Sequence, residues 1–200
     1  MEFLLEKQWI YIGIPVLFVA GAFMHYFYSL SRKNVLVGLI APVNESVWEH
    51  LKLIFLPMIL WWSVYYIIKG QELGIDKNRW FTAGLVSLVV SMIGIFFLYY
   101  FYVGAFGRES VIIDISILLV ALFVGQMLSF HIYKNFEGID VHFVILIVAM
   151  IFCVLVICTF NPPHIPLFKE KKTGVYGIKK KYINNVSLLD SFEKVKIEKI

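Results

Sequence analysis

Apolar residues make up 60% of this 200-residue chain and charged residues only 16%, whereas a typical soluble domain is about 25% charged. The apolar residues stand in long blocks, which excludes an ordinary soluble protein and indicates membrane-spanning helices. The net charge of +4 is concentrated after the last block, which indicates a tail near anionic lipid headgroups and not a nucleic-acid site.

Five of these blocks are long enough to cross the roughly 30 Å of hydrocarbon in a bilayer. The sequence therefore predicts an all-α integral membrane protein with five transmembrane helices. One helical bundle occupies residues 1–166, and a basic cytoplasmic tail occupies residues 167–200. The predicted spans are residues 9–30, 46–68, 80–103, 111–133 and 141–160.

Two features interrupt the apolar pattern near the first span. His25 lies inside that span, and an ionisable group within a membrane helix is a functional candidate by default. Residues 34–41 are apolar but too short to cross a bilayer. With Gly38 and Pro42, they predict a short interfacial or re-entrant segment before the second span.

The stretch PVNESVWEHLK at residues 42–52 places several ionisable groups between two apolar spans. Ser46 and Glu49 have the S-x-x-E spacing of a capping box, which predicts that a helix begins at Ser46. Glu45 shares a helix face with Glu49, and Lys52 follows Glu49 by three residues. His50 points roughly 100° away from Glu49, so the two cannot hold one ion without a ligand from another span.

Alternation of the spans places most of the ionisable groups at one membrane boundary. Histidines with carboxylates can form a metal site or a proton relay. A metal site here would take a divalent ion such as zinc, and in either version we expect His25, Glu49 and His164 to approach one another. The candidate metal ligands are His25, His50 and His164, the candidate catalytic carboxylates are Glu49 and Glu45, and Asp114 is a further partner.

A purely structural interpretation of these residues stays open. Glu49 can serve as the capping-box acid, and Lys52 can pair with Glu49 and extend to the headgroups. Asp114 can cap the fourth span, and His164 can lie at the wet interface.

Two motifs give the chain a family resemblance. PVNESVWEHLK at residues 42–52 resembles a signature of a family of small bacterial and archaeal membrane proteins of unknown function. NPPHIPLF at residues 161–168, with Thr173-Gly174 and Tyr176-Gly177-Ile178, resembles the C-terminal signature of that family, and His25 and Tyr28 fit its first-span pattern. The resemblance covers about residues 10–178. It implies a multi-helix membrane protein without an assigned activity.

Three functions are compatible with this sequence. The first is a metal-assisted membrane hydrolase, in which Glu49 or Glu45 moves the proton of a metal-activated water. The second is a small-solute or proton-coupled transporter, which five spans without a repeat fit better as a homo-oligomer. The third is a non-catalytic accessory protein whose polar stretch docks a partner. The hydrolase is the preferred interpretation.

The positive charges predict a multi-pass plasma-membrane protein with a cytoplasmic C-terminus. Nine basic residues are predicted on the side of the tail, and four on the other side. The first group is Arg32, Lys33, Arg108, Lys169, Lys171, Lys172, Lys179, Lys180 and Lys181, and the second is Lys69, Lys77, Arg79 and Lys134.

Overall fold

The computed structural model describes residues 3–179 of the chain, and within them it is all-helical apart from one isolated β-bridge between Lys169 and Tyr176. The remainder of the basic tail, including Lys180 and Lys181, lies outside the described residues. The helices are α1 (Leu4–Leu30), α2 (Val35–Gly38), α3 (Val47–His50), α4 (Lys52–Lys69), α5 (Lys77–Phe106), α6 (Val111–Asn135) and α7 (Val141–Phe160), with a 3-10 helix at Pro166–Phe168.

Five of these segments are long and apolar enough to span a bilayer: α1, the continuous stretch Val47–Lys69, α5, α6 and α7. The prediction of a five-helix membrane protein is confirmed. The main difference lies at the start, where α1 begins at Leu4 and not near Trp9. The short apolar segment before the second span contains only the single turn α2, which begins where the Asn34 side chain accepts a hydrogen bond from the Leu36 amide at 2.9 Å.

Helices α5 and α6 pack closely through small residues. Gly94 faces Ala121, and Gly125 faces Ser87 and Ser91. The Ser91 hydroxyl donates to the Ala121 carbonyl at 3.1 Å. In a bilayer the surrounding lipid is as apolar as the helices, so close packing and hydrogen bonds of this kind hold membrane helices together.

An aromatic cluster closes the end of the bundle that contains the start of α1. Trp9 of α1 stacks on Trp61 of α4, with ring centroids 4.0 Å apart. Trp80 at the start of α5 packs against Tyr65 and Tyr133, and its indole N–H donates to the Trp62 carbonyl at 2.8 Å. Tryptophan and tyrosine suit such a boundary because their rings are apolar and their N–H or O–H groups need a polar partner.

The opposite end of the bundle gathers the polar stretch and the chain that follows α7. We call residues 161–179 the C-terminal strap. The strap folds back because Pro162, Pro163 and Pro166 prevent the helix from continuing. The Ile178 amide donates to the Thr159 carbonyl at 2.9 Å, and the Lys171 ammonium lies 2.7 Å from the Glu109 carboxylate between α5 and α6.

We expect Gly125→Ala to destabilise the bundle by about 1–3 kcal/mol, the usual cost of overpacking a core. A methyl group at this position would lie 2.8 Å from the Ser87 carbonyl oxygen and closer still to the Ser91 hydroxyl. The measurement is the midpoint of thermal unfolding in detergent.

Gly104→Ala is the matched control, because a methyl group there meets nothing within 4 Å. Alanine favours a helix over glycine by about 0.5–1 kcal/mol, so this variant should be at least as stable as the natural protein. Equal stability of the two alanine variants would contradict the proposed close contact between α5 and α6.

Candidate functional site

The loop before α3 has a local structure that the sequence predicts only in part. The Ser46 hydroxyl accepts a hydrogen bond from the Glu49 amide at 3.3 Å, so Ser46 caps the helix as expected. In a full capping box the Glu49 carboxylate would return to the Ser46 amide. Asn44 takes that place, because its side-chain oxygen accepts from the Ser46 amide at 2.8 Å. The Glu49 carboxylate therefore turns inward.

The inward-facing Glu49 forms a buried network with Lys52 and Thr159, each of which is at most 1% exposed. The Lys52 ammonium donates to Glu49 Oε2 at 2.8 Å, to the Gly38 carbonyl at 2.8 Å and to Thr159 Oγ1 at 2.6 Å. Those three acceptors use all three ammonium protons. Glu49 also accepts from the Val43 amide at 3.0 Å and lies 2.9 Å from the Thr159 hydroxyl.

The buried network joins parts of the chain that are far apart in sequence. Lys52 begins α4, Gly38 ends α2, and Thr159 lies in the last turn of α7. Lys52 pairs with Glu49, but it does not extend to the headgroups, because it is fully buried beneath α2. A buried charge pair is tolerated only when its remaining hydrogen-bonding groups are satisfied. The geometry therefore favours a structural role for Glu49.

A second cluster lies closer to the surface, and we call His25, Glu45 and His50 the triad. Glu45 Oε2 lies 3.2 Å from His25 Nε2 and 3.5 Å from His50 Nε2. The side chains of His25, Glu45 and His50 are 33%, 50% and 28% exposed. The triad joins the last turns of α1, the loop before α3, and α3 itself.

The hydrogen bonds of the triad define its electrostatics. His50 Nδ1 lies 2.8 Å from the Ser46 carbonyl, which accepts only, so Nδ1 carries a proton and donates. A neutral His50 then presents the lone pair of Nε2 to the Glu45 carboxylate, so a proton or a cation is needed between the two groups. With that proton present, hydrogen bonds from His25 and His50 hold the pKa of Glu45 well below its usual range.

Because the pKa of Glu45 is lowered in the folded protein, ionised Glu45 stabilises the fold and protonation removes that stabilisation. The contribution is present above the ordinary glutamate pKa of 4.5 and is lost as the pH falls through the lowered value. Near neutral pH Glu45 is therefore a carboxylate, which is the form that binds cations.

His164 and Asp114 lie outside the triad. The His164 side chain is exposed, and its ring packs on Tyr176 at a centroid distance of 4.8 Å. Asp114 accepts a hydrogen bond from the Tyr102 hydroxyl at 2.5 Å. The expected approach of His25, Glu49 and His164 is thus replaced by the approach of His25, Glu45 and His50, with Glu49 directed inward and His164 turned onto the strap.

Three residues that sequence reasoning missed hold this arrangement together. Thr159 completes the buried network. The Asn44 amide donates to the Gly177 carbonyl at 3.0 Å, which ties the loop that carries Glu45 to the strap. Gly177 has a φ of 55° and lies against the Thr159 carbonyl, a position that a larger residue would not fit. The sequence gives little sign of the role of Thr159, since a threonine in a membrane helix commonly donates to its own backbone, as Thr159 also does to the Leu155 carbonyl.

A cavity of about 290 Å³ adjoins the triad at the membrane boundary. His25 and Glu45 form part of its wall, with Asn44, Lys33, Glu170 and Lys179. Within residues 3–179, His25, Glu45 and His50 are the one group of three or more histidine, cysteine or acidic side chains whose ligand atoms lie within 4.8 Å of one another.

The fold and this cluster define a class of protein: a five-helix membrane protein with a half-exposed histidine–glutamate triad at one boundary of the bundle. Residues 1–178 match the model of the family of unknown function DUF6512, and the chain belongs to that family. The predicted resemblance to an uncharacterised family is thereby confirmed. No curated protein and no solved structure matches the chain.

We expect Lys52→Met to destabilise the protein by about 3–5 kcal/mol, because it leaves the buried Glu49 charge without its partner. The double variant Lys52→Met with Glu49→Gln removes both charges and should regain part of that loss. The free energy of unfolding in mixed micelles measures both effects.

Lys69→Met is the matched control, because Lys69 and Glu72 have the same three-residue spacing and lie 2.6 Å apart, but are exposed. An exposed pair contributes about 0–1 kcal/mol. If Lys52→Met and Lys69→Met cost the same, the role of the buried network would be disproved.

Proposed function

We propose that His25, Glu45 and His50 bind a divalent cation, zinc above all, and that the protein is a metal-assisted hydrolase that acts at the membrane boundary. The observation that carries this proposal is the spacing of the two histidine nitrogens around the Glu45 carboxylate.

The spacing fits a tetrahedral ion. Zinc binds histidine nitrogen and carboxylate oxygen at about 2.0–2.2 Å. Ligands at that distance in a tetrahedron stand about 3.3–3.6 Å apart. The two separations in the structure, 3.2 Å for His25–Glu45 and 3.5 Å for His50–Glu45, are close to that range. Small side-chain movements are enough to admit the ion.

The hydrogen bonding of His50 supports the same proposal. A metal-binding histidine usually donates its other ring N–H to a carbonyl or carboxylate, which fixes the ring and leaves the second nitrogen for the metal. His50 has this arrangement, with Nδ1 bonded to the Ser46 carbonyl and Nε2 directed at Glu45. A cation between Nε2 and the carboxylate also removes the conflict between a lone pair and a negative charge.

The exposure of the triad favours a catalytic site over a structural one. Structural zinc sites are closed by four protein ligands, whereas catalytic sites keep a position for water. The triad supplies three ligands, is half-exposed and adjoins a cavity. When bound, the metal lowers the pKa of its water so that hydroxide forms near neutral pH. The chain holds the ion through Glu45 and the two histidines, and it positions Glu45 through Asn44 and the strap.

We further propose that this end of the bundle is cytoplasmic in the plasma membrane and contacts anionic lipid headgroups. Lys169, Lys171, Lys172 and Lys179 are exposed here, and basic residues near span ends favour the cytoplasmic side and anionic lipid.

We expect the purified protein to contain about one metal ion per chain, and His25→Ala, Glu45→Ala and His50→Ala each to lower metal affinity by about 10-fold or more, because each removes one of three ligands. Metal content by mass spectrometry and zinc affinity by competition with a chelating dye provide the measurement.

His142→Ala is the matched control. His142 also lies beside a carboxylate, with Nδ1 2.7 Å from Asp140, but on the surface and without a third ligand. It should leave metal content unchanged. His164→Ala should do the same. Unchanged affinity in His25→Ala and His50→Ala would exclude the metal site.

We expect a cysteine at Lys172 to resist a membrane-impermeant thiol reagent in intact cells, and a cysteine at Lys77 to react, in a background without Cys153 and Cys158. Lys172 is exposed at the end that holds the triad, and Lys77 is exposed at the other end. The opposite labelling pattern would reverse the proposed orientation.

A further inference from the structure

The cavity beside the triad contains lysines that binding of a metal does not require. Lys33 and Lys179 form part of its wall, together with the carboxylates of Glu45 and Glu170. Neither lysine can be a metal ligand while it is an ammonium. Their charges, which lie in the same wall as His25 and Glu45, therefore act on any other molecule that the cavity admits.

Lys33, which lies in the cavity wall, has an unfavourable backbone conformation. Arg32 and Lys33, which follow α1, have φ values of 57° and 63°. The turn is closed by the Lys33 amide, which donates to the Tyr28 carbonyl at 3.0 Å. Left-handed conformations are ordinary for glycine and uncommon for lysine, and strain of this kind is often kept where function needs the side chain.

Lys179 reaches the cavity because the strap is fixed just before it. The Ile178 amide donates to the Thr159 carbonyl, and the Gly177 carbonyl accepts from Asn44. The two lysines thus approach the cavity from opposite parts of the chain, one at the end of α1 and the other at the end of the strap.

The charges of the side chains in the cavity wall indicate which kind of ligand the cavity would bind once the metal is present. The two lysines balance the two carboxylates of Glu45 and Glu170, so the bare wall is close to neutral. A divalent cation on Glu45 leaves two positive charges in excess. A cavity with excess positive charge attracts anions, and two charges match a phosphate dianion.

The surroundings of the cavity place it at the level of the headgroups. Leu30 and Leu36, on either side of the Arg32–Lys33 turn, are 67% and 73% exposed. Apolar side chains of this size at the end of a membrane span lie against lipid. A phosphate carried by an amphipathic molecule would therefore reach the cavity from the bilayer.

We infer that the cavity bounded by Lys33, Lys179 and the triad binds the phosphate group of a phosphoester, which names the substrate class of the metal site. This inference rests on the proposed function, because the excess positive charge arises only with the metal. A lipid headgroup and a soluble phosphate share this chemistry, so the experiment must separate the two sources.

The test uses the full chain in phosphatidylcholine nanodiscs, with and without one equivalent of zinc. Calorimetric titration with inorganic phosphate and with dihexanoyl phosphatidic acid gives the two affinities. We expect binding with zinc only, and a rise of about tenfold or more in Kd for Lys33→Gln and for Lys179→Gln, since each removes a charged hydrogen bond. Zinc content should not change in either variant.

Two further variants exclude trivial explanations. Lys172→Gln, which removes an exposed lysine outside the cavity wall, should bind phosphate as the natural protein does. Lys33→Gly should raise the midpoint of thermal unfolding, because glycine relieves the strained turn, and should still lose phosphate affinity. If Lys33 served only the turn, Lys33→Gly would raise the midpoint of thermal unfolding and keep its phosphate affinity.

The outcomes are distinguishable. Zinc-dependent binding of both probes supports a phosphate site open to soluble esters, and binding of phosphatidic acid alone supports a lipid headgroup. Zinc bound without affinity for either probe, or equal affinity in Lys33→Gln and Lys172→Gln, overturns this inference and leaves the metal site intact. A chain that binds no zinc overturns the proposed function and this inference together.

Discussion

The buried pair of Lys52 and Glu49 is the interaction on which the polar end of this protein depends. An ammonium and a carboxylate buried at a membrane boundary must satisfy every proton and lone pair within the protein, because neither water nor lipid is available to do so. The partners that satisfy them come from α2, from the loop before α3 and from α7. Three segments of the chain are thereby held in one arrangement.

The triad inherits its geometry from that arrangement. His50 follows Glu49 directly in α3, so the inward attachment of Glu49 turns His50 toward α1, where His25 lies. Asn44 precedes Glu45 and is held by Gly177 and by the Ser46 amide, which directs the Glu45 carboxylate outward between the two histidines. A cation site and an anion cavity proposed on this surface would thus share one rigid support, and the buried charges beneath them serve stability.

Sequence reasoning selected the stretch that carries Glu45 and His50, which the structure brings beside His25. His25, Glu45 and His50 were all candidates, yet Glu49 was expected at the centre and His164 as a ligand. The S-x-x-E spacing is local and correctly marked the start of the helix at Ser46, but Asn44 displaced Glu49 from the second half of the capping box. His164 lies at the same membrane boundary as the triad. The prolines beside it in the strap end α7, and its ring packs on Tyr176, so that it lies on the outside of the strap.

The sequence by itself determined the membrane class, the number of spans and the helix that begins after Ser46. These follow from apolar block length and from hydrogen bonds between near neighbours, which the order of residues specifies directly. Only the tertiary structure decided that Lys52 is buried and that Glu45, not Glu49, faces the histidines. Both outcomes depend on contacts across 107 and 133 residues, from Lys52 to Thr159 and from Asn44 to Gly177. Helical periodicity carries no information on such distant pairs, because it fixes the face on which a side chain lies and not the partner that it meets.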